Sequence, residues 1–166
     1  MSRERDAAEK RDAMTKTVEE ARLLADERRA DGWDAVVVPA ADTAAVPSDA
    51  ETGEWGFVHV VPDNYADRIT AVSKAGSFPR YDVYRRRVGE SVCFVTELLD
   101  PDTDTVLLVA GQYDTGEAVG LYREATQEGV VHTRLRRLDG EPLATVEHDA
   151  VEKFFPEEMA SLSGRQ

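Results

Sequence analysis

Apolar positions are densest between Arg80 and Gln112, where they outline three successive strands. Arg80–Val88 interleaves β-favouring residues with charge. Ser91–Leu99 is apolar at most positions, and Thr105–Gln112 is a third such run. Short turns at Gly89-Glu90 and Asp100–Asp104 join them. Connections this short make antiparallel neighbours, because a parallel return needs about a dozen residues. A near-continuous apolar run marks a strand covered on both faces. Val92–Leu99 is therefore expected in the middle of a sheet, with helices from elsewhere in the chain covering it.

The flanking patterns supply the other elements. Residues 4–30 lack proline and glycine and are rich in Ala, Glu, Arg and Lys, which predicts a long N-terminal helix. Met14, Val18, Ala21 and Leu24 fall at helical spacing, and Gly32 follows the end. Before Met14 the stripe reduces to alanines, so residues 1–13 are expected to project or fray. Trp33–Pro39 is a strand, and residues 39–54 form a loop without apolar period. Trp55–Val61 is the next strand, with Phe57, His59 and Val61 on one face and Val58 and Val60 on the other. A helix follows with Tyr65, Ile69 and Val72 on one side, closed by Gly76. Asp114 with Glu117 resembles a capping box for a helix over Ala118–Ala125. Val130–Leu138 and Leu143–His148 form a hairpin about Asp139-Gly140. That register puts Val131, Thr133 and Leu135 toward the core and His132, Arg134 and Arg136 on the far face. Asp149 with Glu152 suggests a last cap, and residues 157–166 a loose tail. Together these elements predict one α+β domain over residues 1–156. Its sheet is mixed, mainly antiparallel and of about seven strands, with helices packed on it.

Composition changes the picture in one respect. The chain has 33 acidic and 20 basic residues, a net charge of -13, and only four of the basic residues are lysines. The acid is dispersed rather than gathered in a tail. That pattern suits a cytoplasm filled with salt, where screening removes self-repulsion and carboxylates hold water. The polar N-terminus and the lack of a long apolar run make a cytoplasmic protein without a membrane anchor the expectation. The one cysteine, Cys93, lies in the most apolar strand and reads as a buried thiol.

No catalytic or metal-ligating set stands out, and no cofactor is implied. His59, His132 and His148 lack metal-ligand spacing and read as hydrogen-bonded strand residues. Arg85 with Arg87 and Arg134 with Arg136 each share a strand face. On a common sheet the four guanidinium groups would form one basic patch suited to an anion. With Asp42, Thr43 and Ser48 of the 39–54 loop, these are the candidate ligand-binding residues. The leading expectation is a non-enzymatic interaction protein, with a protein partner or a second copy meeting the N-terminal helix. One alternative is an anion sensor or enzyme with its site near the 39–54 loop. The other is an RNA-binding module built on the arginines, which salt and net charge disfavour.

The acidic, lysine-poor chain, with its Gly32-Trp-Asp-Ala-Val-Val-Val, Leu-Leu-Val-Ala-Gly-Gln-Tyr-Asp114 and Phe154-Phe-Pro156 stretches, resembles small uncharacterised haloarchaeal proteins. Their family is a domain of unknown function. The resemblance covers about Val18 to Pro156, and it implies habitat and cytoplasmic location but no chemistry.

Stability should therefore rise with salt. Below about 0.2 M the Debye length grows to roughly 7–8 Å and the carboxylates repel across the folded surface. The unfolded chain spreads them apart. Thermal midpoints followed by circular dichroism should climb from dilute buffer to molar KCl. A flat or falling curve would remove the salt-adaptation reading.

Overall fold

In a computed structural model that describes residues 2–48 and 55–164, the chain begins with helix α1 (Ser2–Ala30) and strands β1 (Asp34–Pro39), β2 (Asp42–Val46) and β3 (Gly56–Val60). Helix α2 (Asp63–Ala75) leads to β4 (Arg80–Val88), β5 (Ser91–Asp100) and β6 (Thr105–Asp114). Helix α3 (Val119–Glu128) precedes β7 (Val131–Arg136) and β8 (Pro142–His148). A 3-10 turn at Val151–Lys153 and helix α4 (Glu158–Gly164) close the chain.

The class is α+β with a long N-terminal helix, as the patterning predicts. The eight strands divide between two four-stranded sheets, ordered β1-β6-β5-β4 and β2-β3-β7-β8. Each sheet holds one parallel pair, β1 with β6 and β3 with β7, among antiparallel neighbours. The division happens where β1 ends. Ala40 N–H donates to Ala110 of the first sheet, and Ala41 N–H donates to Val60 of the second. Successive residues thus hand the chain from one ladder to the other. The expected loop over 39–54 accordingly contains a strand. Asp42–Val46 pairs antiparallel with β3 through its main chain, although its small side chains carry no apolar period. Residues 49–54 of that loop lie outside the described residues.

Strand β5 is buried at every position, as its composition requires. Helix α1 covers one face and the second sheet, rather than another helix, covers the other. Under α1, fully buried Ala21 and Ala25 pack with Val95, Leu99, Val106 and Leu108. Alanine lets the helix axis approach the sheet closely. Between the sheets lie two linked clusters. Phe57, Phe94, Tyr113, Phe154 and Phe155 form an aromatic one, completed by Leu121 of α3 and Met159 of α4. Val38, Val61, Leu98, Leu107 and Leu135 form an aliphatic one with Ile69 of α2, and Tyr81 packs against both. Phe57 and Phe94 meet at 5.2 Å between ring centres.

Local details test the pattern further. Gly89 takes φ +61 in the two-residue turn that pairs Val88 with Ser91. The β7–β8 register runs as expected from Val131↔His148 to Leu135↔Ala144, then slips by a bulge so that Arg136 faces Pro142. The slip turns Leu143 toward the aliphatic cluster. Asp114 does not cap α3. It ends β6, where it accepts from Ser91 Oγ at 2.8 Å and pairs with Lys10 at 3.1 Å. Asp149 likewise caps nothing and accepts from the Tyr81 hydroxyl. The expected loose tail is helical over Glu158–Gly164, because Met159 finds a buried place beside α3. Residues 165–166 lie outside the described residues. Helix α1 runs unbroken from Ser2; residues 3–9 are exposed, and Lys10 ties its early part to Asp114.

One ion pair fixes α1 on its sheet. Glu97, on the α1 face of β5, is fully buried. Arg28 Nε and Nη2 donate to its two oxygens at 2.8 and 2.9 Å. Arg28→Ala strands that carboxylate in an apolar setting and should cost about 3–5 kcal/mol in chemical denaturation. Replacing both partners, Arg28→Met with Glu97→Leu, should recover most of the loss. A single-variant loss under about 1 kcal/mol would show the pair behaving as a surface contact.

Candidate functional site

The outward face of the second sheet carries the most unusual arrangement. Three rows of side chains cross it. Ala44, Val58, Arg134 and Thr145 are in register, as are Asp42, Val60, Arg136 and Pro142. The third row sets His132 beside Glu147, with Gly56 against the His132 main chain. Val58 and Val60 are only 5% and 6% exposed, yet neither belongs to the three clusters under the helices. Their register neighbours are Arg134 and Arg136, whose aliphatic stems supply the cover.

The arginines of this face are not paired with its carboxylates. Arg134 Nε donates to the Trp55 carbonyl at 2.7 Å. Among the described residues no carboxylate pairs with Arg134 or Arg136, and Arg136 Nε is buried without a partner. By contrast Arg28, Arg29, Arg68, Arg86, Arg87 and Arg137 all reach carboxylates. Trp55 meets the His132 ring edge-on at 4.9 Å, and His132 Nε2 lies 3.4 Å from Glu147. Burial, and then Arg134, hold His132 below its ordinary pKa. The result is two guanidinium groups over a small apolar floor, with Asp42 and Glu147 in the outer positions and an aromatic at one end.

The other expected residues are elsewhere. Asp42 is exposed at the end of one row of the same face. Thr43 points inward, where a 2.8 Å hydrogen bond links its hydroxyl to His59 Nδ1. Ser48 N–H donates to Glu124 of α3. Arg85 and Arg87 lie on β4, an edge of the first sheet. There Arg85 Nε donates to the Lys153 carbonyl, and Arg87 reaches the Gly89 carbonyl and Glu158. The four guanidinium groups therefore occupy two sheets and do not make one patch. The partners missing from the sequence reading are Trp55, Val58 and Val60. Their alternation put the valines on one face and the hairpin put the arginines on one face. The parallel β3–β7 pairing that joins the two faces has no local signal.

The inner histidines serve the fold. His59 is fully buried, its pKa pushed down to about 3 by desolvation. Its ring and Thr43 lean on β6 at Gly111; a Cβ there would stand 2.5 Å from Thr43 Oγ1 and 2.9 Å from His59 Cε1. His148 Nε2 and Thr133 Oγ1 are linked at 2.7 Å, the Tyr81 ring lies tilted at 4.3 Å from the imidazole, and burial pushes the His148 pKa down to about 4. Cys93 is buried beneath α1, and burial raises its thiol pKa, which suppresses the nucleophilic thiolate. Among the described residues no three His, Cys, Asp or Glu side chains converge as metal ligands. Among the described residues no helix is long and apolar enough to cross a membrane.

Comparison with known proteins places the chain in a family. The model of a family of unknown function (DUF7529) matches residues 2–156. No curated protein and no solved structure matches the chain.

The buried histidines make stability depend on pH. The ordinary imidazole pKa is 6.5, and the folded values are about 3 for His59 and about 4 for His148. Between those limits the unfolded chain holds protons that the folded chain refuses. Their contribution is complete above about pH 6.5 and is lost as pH falls. Thermal midpoints taken downward from neutral pH should fall more steeply for the wild type than for His148→Gln, whose amide keeps a bond to Thr133. Parallel curves would show that His148 is not held neutral.

Proposed function

We propose that this chain, which belongs to the DUF7529 family of unknown function, is a non-enzymatic binding protein that presents the outward face of its second sheet to an anionic group on a partner. The observation that supports this reading most directly is the state of Arg134 and Arg136. Both are half-buried over valines in a chain of net charge -13, and neither has a carboxylate partner among the described residues. Isolated guanidinium groups in partly dry surroundings gain more from a bidentate oxyanion than from water. The apolar floor and Trp55 add non-polar area that salt does not screen. This matters for the salt-rich cytoplasm that the composition suggests, because there long-range steering is weak and short-range contact carries recognition. Catalysis is the weaker reading, since the inner histidines are neutral and bonded to threonines and the lone thiol is buried.

The test is thermal stabilisation in molar KCl by inorganic phosphate, by sulfate and by polyglutamate. At least one of these should raise the midpoint, and Arg134→Gln with Arg136→Gln should abolish the rise while leaving the unliganded midpoint within a few degrees. A rise that survives the double substitution, or no rise with any of the three, would reject the face as the site.

A further inference from the structure

We infer that the free edge of β1 is a second binding surface, which takes an extended acidic segment of a partner protein as an added strand. It lies on the first sheet, and it stands whether or not the second sheet binds anions.

Main-chain parity identifies the edge. Asp34 N–H donates to Asp104 at 2.8 Å and Ala40 N–H to Ala110 at 2.9 Å, so even-numbered residues of β1 face β6. Ala35, Val37 and Pro39 turn their main-chain groups the other way. Pro39 has no N–H, and Arg29 Nη2 donates to the Ala35 carbonyl at 2.8 Å. The N–H groups of Ala35 and Val37 and the Val37 carbonyl have no partner among the described residues. A free edge is usually blunted by charge, proline or cover. Here the blunting is partial, and three main-chain groups are left pointing outward from consecutive outward-facing residues.

The edge is also the floor of a groove of about 480 Å³. Helix α1 forms one wall with Arg22, Asp26 and Arg29, and α2 forms the other with Tyr65 and Arg68. Half-buried Val36 and Val37 lie at its base. Strand addition needs unpaired main chain for affinity and alternating side-chain positions for specificity, and this groove supplies both. Its charge selects the occupant. Arg29 pairs with Asp26 and Arg68 with Asp34, but Arg22 has no carboxylate partner among the described residues. Three guanidinium groups against two carboxylates make a locally positive channel on a negative protein. An incoming strand turns alternate side chains to opposite walls, so acidic residues at every second position meet Arg22 and Arg29 on the Val37 side, while the intervening apolar residues pass Val36 and Tyr65. A second copy of β1 would bring arginine walls against arginine walls, which like charge disfavours.

The probe is a capped synthetic peptide of alternating glutamate and valine, titrated into isotope-labelled full-length protein at a salt concentration that keeps it folded. Saturable binding should slow hydrogen exchange at the Ala35 and Val37 amides. Val37→Pro deletes an outward N–H and trims a half-buried side chain, a substitution that an edge strand tolerates. It should leave the thermal midpoint near that of the wild type and abolish binding. Arg22→Glu with Arg68→Glu should weaken the peptide about tenfold or more and shift preference to a lysine–valine peptide; this pair decides the matter if Val37→Pro fails to fold. The proposal is overturned by no saturable binding, or by binding that neither variant weakens. Concentration-dependent protection of the same amides without peptide would also overturn it, since a second copy would then hold the edge.

Discussion

Strand β5 needs cover on both faces, and the architecture follows from how that need is met. Its ten buried positions include two carboxylates: Asp100 at the turn, which the Asp102 N–H and the Thr103 hydroxyl satisfy, and Glu97, which no apolar neighbour can satisfy. The bidentate bond from Arg28 answers that carboxylate and fixes where the C-terminal half of α1 rests. The alanine seam of α1 is nearly featureless in shape and could slide along the sheet. An ion pair with two defined bonds cannot, so register is set by polarity and closeness by small side chains. Arg29, one residue on, bonds to the Ala35 carbonyl and ties the same helix end to β1.

The other face of β5 is covered by a second sheet, which the chain builds without a long connection. The handover at Ala40 and Ala41 lets β1 and β2 serve different ladders two residues apart. Two sheets joined so tightly must approach closely near the joint. Gly111 on β6 gives the room, and the linked Thr43 and His59 fill it. A neutral imidazole suits that position because it carries hydrogen-bonding capacity without the desolvation cost of a charge.

Hairpins were legible in the sequence because their information is local. Asp139-Gly140 and Gly89-Glu90 specify turns, and alternation specifies faces, so β4–β5 and most of β7–β8 follow in register. Strand β2 was not legible, since Asp42-Thr-Ala-Ala-Val46 has neither bulk nor period and becomes a strand only through β3. Asp114 and Asp149 show a related limit. An acid before a helical pattern suggests a cap, but here each carboxylate has a tertiary donor, Ser91 with Lys10 or Tyr81. The candidate face divides the same way. Each row's members on one hairpin or one strand could be named, whereas the parallel β3–β7 contact that brings valines under arginines depends on a pairing across more than seventy positions of sequence.

The placement of guanidinium groups carries the functional argument further than any motif does. A chain with 33 carboxylates and 20 basic side chains has an excess of acid for every arginine. Six of the arginines described above pair with a carboxylate, whereas Arg22, Arg85, Arg134 and Arg136 do not among the described residues. What sets Arg134 and Arg136 apart is a strand register that surrounds them with Val58, Val60, Thr145 and Pro142. The acids of the same face lie to the side: Asp42 ends the Arg136 row, and Glu147 stands in the next row beside His132. An apolar setting raises the free-energy gain from any oxyanion that reaches these groups, because water competes less well there. Arginine is also the cation that keeps its charge in such a setting and presents a planar fork. Such a face has little long-range pull, because Asp42 and Glu147 offset the two arginines, and its selectivity for an oxyanion would rest on contact with the planar forks.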